Sequence, residues 1–225
     1  MIGWISALAL AAAATDIPPP PADPRLEAFK AACVPHRQDL AKAAEALAAD
    51  GWTRVADDDH PQLAAAMAVA RERGEDAELQ MTTDYSVWGR TRDGLRLHVV
   101  LSRMDAVIGE TEDSDGDGVL QDWEKARPWV MLGCGLWDFE ATGQIDHAAM
   151  NAWVGAGPVQ VIDAPGQISG GTWNVFEIMP GTAEVHMGFI PPGGGMGIAP
   201  GFWGLSITMS SALPEDPAEA ESRAD

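Results

Sequence analysis

Basic residues are scarce in this chain: 14 Lys and Arg stand against 34 Asp and Glu, a formal net charge of −20 over 225 residues. A surface of that sign repels phosphate backbones and anionic headgroups, which excludes nucleic acid as a partner and an anionic membrane surface as a docking site. Cysteine is nearly absent. Cys33 and Cys134 allow a single pairing, and neither has another Cys or a His at metal-ligand spacing, so zinc is not indicated. No G-x-S-x-G elbow is present, and the histidines at 36, 60, 98, 147 and 186 form no H-x-x-x-H pair. The stretch 191–197 is rich in glycine but lacks the Lys-Ser/Thr of a phosphate loop, and no helix follows it. It reads as a long hairpin loop, and such loops are where a ligand is to be sought. Long hydrophobic runs are also missing. The apolar segment 1–14 is too short to span a bilayer.

That segment closes in Ala11-Ala12-Ala13-Ala14 and resembles a secretory signal peptide. The resemblance implies export to a periplasmic or secreted location, a mature chain beginning near Thr15, and no membrane insertion after processing. In an oxidising compartment Cys33 and Cys134 are expected to form a disulfide between the N-terminal helical region and a central strand. The alternative is two buried free thiols.

Residues 15–24 contain four consecutive prolines and read as a stiff linker. The apolar content of 46% supports a single domain over 25–212, and the acidic stretch 213–225 reads as a disordered tail. Helices are expected from about Arg25 to Cys33, from near Gln38 to Ala49, from Pro61 to Arg73, and from Asp146 to Gly155. From Met81 onward the pattern turns to strands: 81–91 and 95–104 around the Arg92-Asp93-Gly94 hairpin signal, then 129–139, 158–162, 172–178, 183–190 and 202–209. Helices followed by hairpin-connected strands give an α+β fold, N-terminal helices packed on a mostly antiparallel β-sheet.

Between two of those strands lies Asp113-Ser114-Asp115-Gly116-Asp117-Gly118-Val119-Leu120-Gln121-Asp122-Trp123-Glu124, which fits D-x-[DN]-x-[DN]-G-x5-E at every specified position. These residues resemble the calcium loop of EF-hand proteins. The resemblance implies Ca²⁺ held by the carboxylates of Asp113, Asp115 and Asp117, the carbonyl of Val119, Gln121 directly or through water, and Glu124 as the bidentate ligand. Gly118 occupies the sharp turn, where a residue without Cβ costs least. The chemistry suits a hard cation, and seven acids lie between Glu110 and Glu124 with no basic residue among them. A full EF-hand has a helix on each side. Here the upstream segment reads as a strand, and downstream about two helical turns, Leu120 to Arg127, precede Pro128. With one loop only, a calmodulin-like sensor or buffer is disfavoured. The helical N-terminus, Cys33 and Gly133-Cys134-Gly135 are similar to uncharacterised exported bacterial proteins, a likeness that implies no activity.

Two readings of function follow. In the first, this is an exported calcium-binding protein, the ion structural, with a binding surface and no catalysis. In the second it is an exported hydrolase, for which a pocket gathering His98 or His186 with Asp138 would be the sign. Asp138 and Glu140, two apart on a strand, would share a face and offer acid–base work, although two solvated carboxylates are commoner. Of the nine tryptophans most are expected in the core, with Trp123 anchoring the calcium loop.

Overall fold

The computed structural model describes residues 22–73, 81–108, 127–194 and 202–213. The signal-like segment 1–14, most of the linker, the whole of the 113–124 motif and the tail beyond Leu213 lie outside the described residues. What is described comprises four helices and one eight-stranded antiparallel sheet, in the order β1-β2-β3-β4-β8-β7-β6-β5. In chain order these are α1 (Pro24–Cys33), α2 (Leu40–Ala49), β1 (Thr53–Val55), α3 (Pro61–Arg73), β2 (Thr82–Arg92), β3 (Leu95–Ile108), β4 (Arg127–Asp138), α4 (His147–Val154), β5 (Gln160–Ala164), β6 (Ile168–Asn174), β7 (Thr182–Ile190) and β8 (Gly204–Ala212). The first four strands and the last four each form a consecutive run, and the two runs meet along β4 and β8.

Capping accounts for the helix starts. Asp23, Asp39 and Asp146 each accept a bond from a backbone N–H in the first turn, and Pro24 opens α1 where a missing N–H costs nothing. Gly155, at φ 79°, ends α4 in the left-handed conformation. The β2–β3 hairpin turns on Asp93 and Gly94, both at positive φ, with Arg92 paired to Leu95. That is the two-residue turn whose twist matches the strands it joins.

Strand alternation divides the core in two. Leu97, Val99, Leu101, Leu136, Ile207 and Met209 face α1, α2 and α4 in the main cluster. On the other face Val87 and Val100 meet Leu63 and Met67 of α3. The molecule is therefore helices, sheet, helix in layers. Cys33 at the end of α1 is bonded to Cys134 in β4, with Cα atoms 5.5 Å apart, as the pairing expected from the sequence requires. Such a bond belongs to an oxidising setting. No helix among the described residues is long and apolar enough to cross a membrane.

Several boundaries differ from expectation. Arg127 and Pro128 belong to β4, paired with Ile108 and Val107, so the expected exit helix cannot reach Arg127. β1 was not anticipated; at three residues on a sheet edge it carries no periodicity to read. β6 runs from Ile168 to Asn174 instead of 172–178. Leu213, at the start of the expected tail, donates to the Val130 carbonyl at 3.2 Å.

Candidate functional site

A polar network forms where β3, the β1–α3 connection and the end of β4 meet. Arg96 and His98, two apart on β3, project from one face and both reach Asp59. The Arg96 guanidinium donates to Asp59 Oδ2 at 2.7 Å and to the Asp59 carbonyl at 2.8 Å. His98 Nε2 lies 2.9 Å from the same Oδ2, and because an ionised carboxylate only accepts, the imidazole N–H is the donor. The hydrogen bond from His98, then that from Arg96, holds the Asp59 carboxyl below its ordinary range. His98 is 1% exposed, and its Nδ1 has no partner among the described residues. The ring is buried against those of His60 and Phe139.

Above it sits His60, whose ring stacks on Phe139 with centroids 4.7 Å apart and planes 6° from parallel. His60 Nδ1 accepts from the Gln62 N–H at 3.2 Å, which leaves the proton of the neutral ring on Nε2. Burial first, and then the nearby His98 and Arg96, push its pKa down, so this imidazole is neutral near pH 7.

His60 and Phe139 form one wall of an open cavity of about 680 Å³, a size usual for small-molecule sites. Phe189, Pro191, Pro192 and Trp203 make most of the rest, with Glu140 and Thr142 as polar members. Trp203 is 38% exposed. Its backbone N–H donates at 2.8 Å to Oε1 of the buried Gln62 and so ties the β8 approach to the start of α3. The glycine-rich stretch thus contributes Pro191 and Pro192 to a cavity wall, while residues 195–197 are outside the described ones.

The expected Asp138–Glu140 pair does not form on a common strand face. β4 ends at Asp138, and Glu140 lies in the turn beyond, where its N–H donates to Asp138 Oδ1 at 3.1 Å. Asp138 is 3% exposed and points to the helical face, its Oδ2 3.8 Å from Arg25 Nη1; burial raises its pKa. His98 pairs across the ladder with Trp137, so it faces the opposite side of the sheet from Asp138. His186 is exposed on β7, its Nδ1 3.1 Å from Thr172 Oγ1. The structure therefore brings together His98 with Asp59, and not either histidine with Asp138. Asp59 carried no motif: it is joined to His98 across 39 positions of sequence, which no local pattern reports.

The metal ligands expected at Asp113, Asp115, Asp117, Val119, Gln121 and Glu124 all fall between β3 and β4, outside the described residues. Among the described residues no group of three or more His, Cys, Asp or Glu is arranged to hold a metal ion. Comparison of the chain with family models, with curated proteins and with solved structures finds no match.

Proposed function

We propose that the chain is an exported protein that holds a structural Ca²⁺ in the β3–β4 connection and uses the aromatic cavity for binding and not for catalysis. The observation that carries the calcium reading is the fit of the motif to that connection. The complete motif lies in sequence between β3 and β4, which are paired up to Ile108 and Arg127. The seven acids from Glu110 to Glu124 have no base among them, a run of like charge that a hard cation would relieve. The Cys33–Cys134 bond supports an extracytoplasmic, periplasmic or secreted, location. Binding is favoured over hydrolysis because, among the described residues, the hydrogen-bonded carboxylate–imidazole pair beside the cavity, Asp59–His98, has its histidine buried.

Calorimetric titration with CaCl₂ and melting curves in chelator and in millimolar calcium test the reading. A lone loop in an extracellular setting is expected to bind at about 10⁻⁴ to 10⁻³ M. At ten times the dissociation constant the gain is about 1.4 kcal/mol, or a few degrees in Tm for a chain of this length. Glu124→Gln removes most of that gain, and Mg²⁺ substitutes poorly because it demands a tighter octahedral shell. A wild-type melt that neither calcium nor the substitution moves would refute the proposal.

A further inference from the structure

Among the residues lining the His60–Trp203 cavity there is no Lys or Arg, and Glu140 is the one charged side chain. Two guanidiniums that line the neighbouring cavity with Glu140 are paired to other carboxylates. Arg96 is held by Asp59 at 2.7 Å, and Arg25 by Asp23 at 2.7 Å with Asp138 close behind. His60 stays neutral. The Glu140 carboxylate is exposed and makes no ion pair among the described residues; it borders this cavity and the neighbouring one that Arg25 and Arg96 line, and on the His60–Trp203 side it is the one formal charge on a mostly apolar wall.

From that wall we infer that the cavity binds a small organic cation, an ammonium group carrying apolar substituents. The inference rests on the reading of the protein as a binder and names the ligand class of the same cavity. Phe139 is stacked against His60 and Phe189 is buried, so the exposed Trp203 is the ring that offers negative π density, while prolines 191 and 192 offer apolar surface and Glu140 supplies the counter-charge. An anion would meet Glu140 without any cationic partner. The net charge of −20 draws cations toward the surface and raises their encounter rate.

Choline is the probe, with 3,3-dimethylbutan-1-ol, in which carbon replaces the quaternary nitrogen, as its uncharged counterpart. Each is titrated by ligand-observed NMR against the full chain in chelator and again in millimolar calcium. Choline is expected to bind at least tenfold more tightly than the alcohol. Glu140→Gln weakens choline about two- to fivefold, the range for an exposed charge pair, and leaves the alcohol unchanged. Trp203→Leu keeps apolar area but removes the π face, with a loss of similar size for choline. Glu45→Gln, the same charge change on the exposed side of α2 across the sheet from the cavity, leaves choline binding as it was. Equal affinity for the two probes, no choline binding to the wild type, or an equal loss in Glu45→Gln would each overturn the inference. Glu124→Gln is carried in parallel. It abolishes the calcium effect and leaves choline binding intact, so failure of the calcium reading is distinguishable from failure of this one.

Discussion

Asp59 is the residue that keeps His98 tolerable in the interior. A buried imidazole N–H left without an acceptor costs about 1–3 kcal/mol, so Asp59→Ala is expected to destabilise by that amount at neutral pH. The pH dependence has a definite sign. The Asp59 carboxyl is held below its usual value of 3.8 by His98 first and Arg96 second. A carboxylate depressed in this way adds stability above its unfolded pKa and loses it as pH falls through the folded one. Denaturant unfolding should therefore show the gap between wild type and Asp59→Ala narrowing between pH 5 and the lowest pH at which both fold. A gap of constant size would show that the carboxylate's charge plays no part. The sequence offered His98 as a partner for Asp138; the structure buries it and gives it Asp59 instead. Glu140 was misjudged because strand alternation was extended two residues past Asp138, where β4 gives way to a turn.

At the scale of elements, the Cys33–Cys134 bond pins α1 to the centre of the sheet across 101 positions. On the loop-closure account a bond of that span stabilises by about 4–5 kcal/mol. The Cys33→Ala, Cys134→Ala double variant should lose a large part of that in guanidinium unfolding, and reductant should affect the wild type alone. Two alkylatable thiols in the unreduced wild type would show that the bond does not form. The elements with strong chemical signals were legible in the sequence. α3 runs from Pro61 to Arg73 as expected, α1 starts behind Asp23 and Pro24, and Asp93-Gly94 makes the hairpin. The strand expected over 172–178 begins earlier, at Ile168, and takes in Gly170 and Gly171, residues that usually weaken a strand interior. In the sheet they are required: a Cβ on Gly170 would collide with the Met187 carbonyl, and one on Gly171 would meet the Trp173 ring at 2.9 Å. The same close packing operates at Gly204, where φ is 113° and a Cβ would lie 2.5 Å from the Asp138 carbonyl. A glycine's use as a contact surface is set by its spatial neighbour, which the sequence alone does not reveal.

The whole molecule adds what no single element carries. That β4 would pair with β8, making the two strand runs one sheet, follows from no hairpin signal, since 66 or more residues separate the partnered positions. The net charge of −20, by contrast, is fully legible and has two separable consequences for stability. Diffuse self-repulsion opposes the compact state and is screened by any salt. The Debye length shrinks from about 30 Å at 0.01 M to about 8 Å at 0.15 M, so most of this relief is complete by physiological ionic strength. A specific calcium site behaves otherwise: its effect follows the ratio of free calcium to the dissociation constant and persists when screening is saturated. Melts of the wild type should therefore rise from 0.01 to 0.15 M NaCl in chelator and then level off. Millimolar CaCl₂ added at 0.15 M NaCl should raise Tm by a further few degrees, while the same ionic strength of additional NaCl should not. Glu124→Gln should keep the first rise and lose the second. If calcium at 0.15 M NaCl does no more than matched NaCl, the cluster around Asp113–Glu124 is screened as a diffuse charge and holds no ion.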